Sequence, residues 1–286
     1  MVFRLRALYS LLLLKIGVTL RATNALLDER EIVALIKNVE PAYKNKCDSI
    51  LRGRNESFSQ SWQDWILFHN FFHHKRHWGT GFYVDFGTND PEYISNTFFF
   101  DKCLGWKGLC IEMQEKYHAA IRAKRSCTLV PRCVLGVAAN VSFSGGDGSA
   151  SVRSDKEGEH ISCLGVQDVF ERYNFPKRFD FLSVDIEASE PSVLRCWDFK
   201  VVTPKTVLIE TNKHQQTLVD LFFHRRGYAN VETVLAPDAD RSSPAAGGIP
   251  WLDNIYIHSR APIIIHPHGW HEWPGPAHEN PWVCPM

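Results

Sequence analysis

Acidic side chains stand where the first two predicted strands of this sequence end. Asp85 and Asp90 follow the first strand, with Gly87 and Asn89 between them, and Glu112 ends the second strand. A glycine lets a ligand approach the backbone closely. A carboxylate accepts hydrogen bonds from a hydroxylated or cationic ligand, and an acid after the second strand suits a ribose diol. The pattern therefore predicts that these residues bind a ligand.

Further acids end strands in the second half of the chain. Asp185 and Glu187 follow the fourth predicted strand, and Glu210 follows the fifth. Ligands of a doubly wound sheet bind at the carboxyl ends of its strands, so we expect these acids to lie near the first two turns. A carboxylate beside a reacting hydroxyl can take up its proton. Asp185, Glu187 and Glu210 are the predicted catalytic residues, and Asp185 is also predicted to contact the cofactor.

The first turn lacks the motifs that hold phosphate groups. It contains neither GxGxxG nor GxxxxGK[ST], so a nicotinamide dinucleotide or a nucleoside triphosphate has no phosphate cradle there. An acidic pocket without phosphate ligands suits the cationic sulfonium of S-adenosylmethionine. Methyl transfer to a hydroxyl requires alignment of two substrates and removal of a proton, but no metal. We predict S-adenosylmethionine as the cofactor and no metal site.

Short apolar runs alternate with helical segments along most of the chain. Strands are predicted at residues 82–84, 108–111, 128–130 with 134–137, 179–184, 206–209, 228–235 and 254–258. Helices are predicted at 26–46, 60–77, 95–104, 114–124, 167–173, 191–197 and 215–225, and a Gly/Ser-rich loop at 143–159. This alternation indicates an α/β fold with a doubly wound, mostly parallel sheet. The last two strands, without a clear helix between them, predict an antiparallel edge hairpin.

One globular domain, residues 26–260, is predicted between two dissimilar ends. Residues 1–25 are basic and carry an apolar run shorter than a membrane span, which favours a signal peptide over an anchor. An organellar transit peptide is the alternative. Residues 261–286 are rich in proline, histidine and tryptophan, and a packed arm is favoured there over a histidine metal site.

The cysteines permit disulfides in an oxidising compartment, because the chain has an even set of 8. Cys110, Cys133 and Cys196 are interpreted as small buried hydrophobic residues. Cys127 and Cys133 flank the third predicted strand, and they are the pair expected to form any bridge.

Composition and sequons bear on the partners and the compartment. Lysine plus arginine and aspartate plus glutamate each number 32, so no net field attracts nucleic acid or an acidic membrane. We predict a small-molecule or carbohydrate acceptor, no nucleic acid partner and no stable membrane span. Sequons at Asn55 and Asn140 agree with the secretory pathway, either a Golgi or ER lumen or secretion.

Five segments, in this order, resemble the FkbM-type methyltransferases. They are SQ and QD within residues 59–64, GFYVDFGTND (81–90), SNT (95–97), LGWKGLCIE (104–112) and FDFLSVDIEASE (179–190). The resemblance covers roughly residues 59–258. It implies a class I, Rossmann-like methyltransferase fold, S-adenosylmethionine as the methyl donor and, usually, O-methylation of a hydroxyl on a sugar or glycosylated metabolite.

The resemblance also assigns roles by position. Asp85, Gly87 and Asn89 would surround the methionine part of the donor, Glu112 would hold its ribose, and Asp185 would face the methyl group or the acceptor. The predicted function is therefore S-adenosylmethionine-dependent O-methylation of a sugar, a glycoconjugate or a small metabolite.

Three positions depart from the family pattern. Pro91 and Ala188 stand where the family usually has glycine, and Met113 stands where it usually has proline. The alternative hypothesis is a non-catalytic, methyltransferase-like binding protein with a degenerate cofactor turn.

Overall fold

The computed structural model describes residues 27–73, 79–144, 151–153, 160–173, 176–187, 189–235, 251–258 and Cys284. The strands are β1 Phe82–Phe86, β2 Lys107–Ile111, β3 Thr128–Val130, β4 Val134–Leu135, β5 Ala139–Ser144, β6 Ser151–Arg153, β7 His160–Gly165, β8 Arg178–Val184, β9 Thr203–Asn212, β10 Tyr228–Leu235 and β11 Trp251–His258. The helices are α1 Glu29–Ile36, α2 Lys44–Leu51, α3 Gln63–Leu67 with a π-helix Phe68–Phe72, α4 Phe98–Lys102, α5 Glu115–Lys124, α6 Val166–Tyr173, α7 Glu190–Cys196 and α8 Lys213–His224.

The main sheet has seven strands in the order β3-β2-β1-β8-β9-β11-β10. Strands β3, β2, β1, β8 and β9 run parallel to one another, while β11 is antiparallel to both β9 and β10. The predicted α/β fold, mostly parallel with an antiparallel hairpin at one edge, is confirmed. The second strand of that hairpin, β11, lies inside the sheet between β9 and β10, and β10 forms the edge.

Both faces of the sheet are buried, and alternate residues of each strand supply them. Tyr83 of β1 and Phe181 of β8 pack on the face covered by α1 to α5, whereas Val84 and Leu182 pack on the face covered by α6 to α8. Successive side chains of a strand point to opposite faces, so continuously apolar strands are needed for a three-layer arrangement.

The helices before β1 are shorter than the sequence pattern predicts. The predicted helix at 26–46 is divided into α1, capped by Asp28, and α2, which begins after a turn that contains Pro41. The predicted helix at 60–77 begins only at Gln63, because Trp62 has a left-handed backbone with φ 68°. Proline interrupts helical hydrogen bonding, which explains the first difference.

A second, smaller sheet follows β3 and holds part of the segment predicted as a loop. Its strand order is β4-β7-β5-β6, with β5 antiparallel to β7 and β6 and with β4 parallel to β7. Residues 134–137 were predicted to continue the third strand, but Val134 and Leu135 pair with β7 instead. Pro131 stands between β3 and β4, and proline cannot donate a ladder hydrogen bond.

All eight cysteines are paired, as Cys47–Cys103, Cys110–Cys127, Cys133–Cys163 and Cys196–Cys284. The interpretation of Cys110, Cys133 and Cys196 as free buried thiols is therefore wrong, and so is the expected Cys127–Cys133 bridge. Cys127 and Cys133 lie at opposite ends of β3, where an extended chain advances about 3.3 Å per residue. A disulfide spans only about 7 Å between Cα atoms, so these two residues are too far apart.

The ends of the chain lie mostly outside the described residues. The leader predicted at 1–25 is outside them, as is the arm at 261–286 apart from Cys284. Cys284 is bonded to Cys196 at the end of α7, with a Cα–Cα distance of 4.7 Å. Within the part of the chain that the structure describes, no helix is both long and apolar enough to span a bilayer.

Candidate active site

A cavity of about 290 Å³ lies at the carboxyl ends of β1, β2, β8 and β9. The chain runs from β1 through β2 to β3 on one side and continues with β8 on the other, so strand order reverses between β1 and β8. Ligands of doubly wound sheets bind at such a switch point. The cavity is lined by these residues predicted from the sequence: Asp85, Gly87, Asn89, Glu112, Asp185, Glu187 and Glu210.

The turn after β1 requires glycine at position 87. Gly87 has a left-handed φ of 82°, and a Cβ atom there would overlap the backbone carbonyl of Asp185. The amides of Gly87 and Thr88 both donate to the carbonyl of Ile111, at 3.0 and 3.1 Å. These contacts bring the ends of β1, β2 and β8 together at one edge of the cavity.

Glu112 fixes the shape of two turns. One of its carboxylate oxygens accepts from the Asn89 amide at 2.7 Å, and the other accepts from the Gln114 amide at 2.6 Å. Burial raises the pKa of Glu112, while these two amide bonds oppose the rise. Asn89 has a left-handed φ of 55°. Each carboxylate oxygen has a second lone pair, so the group can still accept from a ligand hydroxyl.

Asp90 was predicted to bind the cofactor, but it is not among the residues that line the cavity. Its carboxylate accepts from the amides of Glu92 and Tyr93, at 2.9 and 2.8 Å. Pro91 is buried in this turn, and its carbonyl accepts from Arg125 Nη1 at 3.1 Å. Proline therefore belongs to a hydrogen-bonded turn here. Ala188, the other departure at a glycine position, lies outside the described residues.

Asp85 lines the cavity, and its carboxylate is also hydrogen-bonded to another side chain of the protein. Its carboxylate accepts from Thr97 Oγ1 at 2.6 Å, and that hydroxyl in turn accepts from Arg125 Nη2 at 2.6 Å. Asp85 is 4 % exposed. Burial raises the pKa of Asp85, while the nearby guanidinium and the hydroxyl bonds oppose the rise.

Arg125 holds this side of the site together. Its guanidinium donates to Asp101 and Tyr83, both at 3.0 Å, and to the hydroxyls of Ser95 and Thr97. Burial lowers the pKa of Arg125, but Tyr83, Asp101 and Asp85 more than offset this effect and raise it, so the group stays charged. Arg125 connects α5 to the loop between β1 and α4, although the sequence pattern did not identify it.

The opposite side of the cavity carries a group of carboxyls. Burial, followed by repulsion from neighbouring acids, raises the pKa of both Asp185 and Glu210 well above the ordinary range of a carboxyl. A hydrogen bond between these two groups opposes the rise at Asp185. Burial also raises the pKa of Glu187, whose φ of 53° is left-handed. Two like charges this close cannot both ionise readily, so the pair shares protons.

Asp253 of β11 extends this group of carboxyls. It pairs with Glu210 across the β9–β11 ladder and accepts from the Gln63 side chain at 2.6 Å. Burial raises the pKa of Asp253 to about 6, while the bond from Gln63 opposes the rise. Gln63 belongs to the SQ and QD segment, so that segment is held against the acidic side of the cavity.

The sequence pattern missed several residues of the cavity wall. Gln60 and Asn96 belong to matched segments but were given no role, and Arg132, Val134 and Leu135 follow β3. The matched segments were the available signal for Gln60 and Asn96. The position of the other three depends on the separation of β4 from β3, which the sequence pattern did not predict.

Among the described residues, no group of three or more histidine, cysteine, aspartate or glutamate side chains is arranged to hold a metal ion. The tail histidines considered as metal ligands lie outside the described residues.

Comparison with known proteins identifies the family. The Methyltransferase FkbM domain matches residues 85–229, just over half of the chain. The chain belongs to the FkbM methyltransferase family. The family predicted from the five segments is thereby confirmed. No curated protein sequence matches the chain significantly.

Solved methyltransferase structures are similar to this FkbM family member. Methyltransferase FkbM from Methylobacillus flagellatus has 14% sequence identity and a TM-score of 0.42, and the match covers 79% of this chain and 58% of that chain. Precorrin-6y C5,15-methyltransferase from Geobacter metallireducens has 12% identity and a TM-score of 0.35, with 62% and 79% covered. The chain thus spans 58% of the length of the Methylobacillus protein.

Proposed function

We propose that this protein is an S-adenosylmethionine-dependent methyltransferase that methylates a hydroxyl of a sugar, a glycoconjugate or another small metabolite. Family membership supports the reaction class. The observation that carries the proposal is the meeting of Asp85, Glu112, Asp185 and Glu210 in one cavity at the switch point. Nucleic acid is not proposed as a partner, because the chain has no net positive charge.

The residues of the cavity fit the donor. Gly87 lines the cavity, and glycine is required there because a Cβ atom would overlap the backbone carbonyl of Asp185. Glu112 has lone pairs for the ribose hydroxyls, and Val134 and Leu135 contribute apolar surface to the same cavity. S-adenosylmethionine supplies an electrophilic methyl group on a cationic sulfonium, and the carboxyls of the cavity suit that charge.

The pair Asp185 and Glu210 can take up the proton of the acceptor hydroxyl. In the ligand-free protein, burial and repulsion raise both pKa values, that of Glu210 to about 11. A cationic sulfonium bound beside the pair lowers these pKa values toward the operating pH, where a general base works best. In a proton-sharing pair, the ionised member accepts the hydroxyl proton as the oxygen attacks. The same carboxyls can hold the other hydroxyls of a polyol acceptor.

The first prediction tests the donor and the base together. Wild-type protein should bind S-adenosylmethionine in a calorimetric titration and transfer radiolabelled methyl groups to some members of a panel of sugars and glycosides. Glu210→Gln keeps the shape but cannot take up a proton, so it should retain donor affinity while kcat falls by roughly 10²–10⁴-fold. A folded wild-type protein that binds neither the donor nor S-adenosylhomocysteine would favour the non-catalytic alternative.

We also propose residence in the secretory pathway. The pairing of all eight cysteines supports this, because disulfides persist in oxidising compartments and are rare in the cytosol. Asn55 and Asn140, which begin the two sequons, are both exposed.

The second prediction tests this compartment. Protein made by secretory cells should lose mass on treatment with an N-glycosidase, and Asn55→Gln and Asn140→Gln should each remove one glycan. Thiol labelling without reductant should detect no free cysteine. Unglycosylated protein with reactive thiols would contradict the proposal.

A further inference from the structure

The end of the main sheet that lies opposite the cavity carries a row of cations. Strands β8 and β9 run parallel, and β10 runs in the same direction because β11 is antiparallel to both β9 and β10. The amino ends of β8, β9 and β10 therefore lie together. Lysine and arginine side chains stand at or just before these strand starts, and we call them the basic rim: Lys177, Arg178, Lys200, Lys205, Arg225 and Arg226.

Contacts between the strand starts fix the layout of the basic rim. The amide of Thr203 donates to the carbonyl of Lys177 at 2.8 Å, which joins the start of β9 to that of β8. The Tyr228 hydroxyl donates to the carbonyl of Pro204 at 2.6 Å, which joins β10 to β9 across the intervening β11. Neighbouring strands lie about 4.8 Å apart, so the row from β8 to β10 is about 14 Å long.

The positive charge of the basic rim is only partly offset. Among the described residues at these strand starts, the carboxylates are those of Asp180 and Asp198. Asp180 pairs with one of the six cations and is 8 % exposed. Asp198 is exposed, and its carboxylate accepts from the backbone amide two residues further on. Glu171 and Arg172, near the end of α6, add one charge of each sign. The basic rim thus keeps an excess of positive charge, although the whole chain has none.

Two arginines of the basic rim repel each other. The guanidinium of Arg226 lies 3.5 Å from the centre of the Phe222 ring, and its Nη1 donates to the Phe222 carbonyl at 2.9 Å. Burial, followed by the charge of Arg225, lowers the pKa of Arg226, and Asp198 opposes this only in part. An anion bound beside the two arginines would relieve the repulsion.

The length of the row and the proposed compartment select the kind of anion. Cations spread over about 14 Å match a linear polyanion better than a single small anion. A membrane is less suitable, because the anionic leaflet faces the cytosol and membrane-bound surfaces insert apolar side chains. Among the described residues, Val201 is the large hydrophobic residue exposed beside the basic rim. A protein of the secretory pathway instead meets sulfated polysaccharides.

We infer that the basic rim binds a sulfated polysaccharide. Lysine and arginine form charge-assisted hydrogen bonds with the oxygens of anionic groups. The 7 residues of β8 separate the basic rim from the cavity, a distance of about 23 Å. The polysaccharide can therefore be bound while the cavity remains open. This inference goes beyond the proposed methyl transfer, but its choice of polyanion rests on the proposed compartment.

Fluorescence anisotropy of labelled heparin, with glycosylated protein from secretory cells, tests the inference. Wild-type protein should bind heparin and release it as salt is added, because salt screens exposed charges. Lys200→Gln/Arg225→Gln should bind roughly 25-fold less tightly, at about fivefold for each cation removed. The matched control, Lys37→Gln/Arg122→Gln, removes the same charge at exposed positions next to α1 and on α5. Its heparin affinity should equal that of wild type, and both variants should melt at the wild-type temperature.

Further probes identify the class of ligand. N-acetylglucosamine 6-sulfate should not displace heparin, because one sulfate contacts only part of the row. Vesicles rich in phosphatidylserine, and a single-stranded oligonucleotide, should bind less tightly than heparin at equal concentrations of anionic groups. Equal or tighter binding of either probe would overturn the inference. So would equal losses in the two double variants, or folded wild-type protein that does not bind heparin.

A donor titration separates this inference from the proposed function. The affinity for S-adenosylhomocysteine should be the same with and without saturating heparin, because the two sites lie at opposite ends of the strands. Weaker binding in the presence of heparin would place the polyanion in the cavity and overturn the inference. Protein that binds heparin through the basic rim but does not bind S-adenosylhomocysteine would contradict the proposed function alone.

Discussion

Arg125→Met is expected to lower the free energy of unfolding by about 3–5 kcal/mol, because it removes a fully buried charge and leaves its partners unpaired. Both members of the Arg125–Asp101 ion pair have no exposed side-chain surface. Methionine fills much of the same volume as arginine. The decrease in the free energy of unfolding therefore measures the cost of leaving the carboxylates of Asp101 and Asp85 without their cation. Urea unfolding with the disulfides intact measures the change.

The matched control is an ion pair at the surface. Lys205 lies 2.6 Å from Asp180, but its side chain is 61% exposed. Lys205→Met should therefore cost less than about 1 kcal/mol. Adding Asp101→Asn to Arg125→Met removes one of the stranded charges and should recover part of the loss. Equal effects of Arg125→Met and Lys205→Met would show that the buried network contributes no special stability.

The same substitution should also weaken the site. Arg125 contacts Pro91, Ser95 and Thr97, all in the loop that carries Asn96. Arg125→Lys keeps the charge but cannot form the forked set of bonds, because an ammonium lacks the planar geometry of a guanidinium. It should lose less stability than Arg125→Met while donor affinity still falls. The network thus makes the position of the loop depend on Arg125, the residue that directly follows α5.

The main sheet could be predicted because its local signals agree with its tertiary structure. Strands buried on both faces read as continuous apolar runs, and the helices between them keep their own periodicity. The second sheet was missed because β5 and β6 are short and polar, and because β6 and the end of β5 lie within the Gly/Ser-rich segment at 143–159. Alternation in β5, where Val141 is buried and Asn140 is exposed, was the available signal.

Disulfide pairing could not be read from the sequence, because it depends on which strands become neighbours. Cys110 lies in β2 and Cys127 directly precedes β3, and these strands run parallel and adjacent. Cys133 reaches Cys163 only because β4 leaves the main sheet and pairs with β7. The spacing of cysteines along the chain does not show which strands are neighbours. The pair closest in sequence, Cys127 and Cys133, was therefore the wrong prediction.

The cavity was predicted better than the loops around it. Strand-end acids meet wherever parallel strands share an edge, so Asp85, Glu112 and Asp185 follow from the fold class. Asp90 differs because a carboxylate in a turn can accept from the amides that follow it, as it does here from Glu92 and Tyr93. Sequence alone does not distinguish an acid that faces a ligand from one that stabilises its own turn.

The stability of the ligand-free protein is expected to fall as pH rises from about 5 to 9, because the folded state holds protons that the unfolded state releases. Glu210 and Asp185 have raised pKa values in the folded protein, mainly through burial and then through mutual repulsion. An unfolded carboxyl loses its proton near pH 4, so above that pH the folded state binds more protons. Each excess proton lowers the free energy of unfolding by about 1.4 kcal/mol per pH unit.

Glu210→Gln removes one of the groups that bind a proton in the folded state and release it on unfolding. The variant should match wild type near pH 5, exceed its unfolding free energy by at least about 1 kcal/mol at pH 8, and show a shallower dependence on pH. Glu171→Gln, at an exposed position on α6, is the control and should follow the wild-type curve. Parallel curves for Glu210→Gln and wild type would contradict the proton-sharing pair. If Glu210→Gln is more stable than wild type but transfers fewer methyl groups, the Glu210 carboxyl serves the reaction and not the stability of the ligand-free fold.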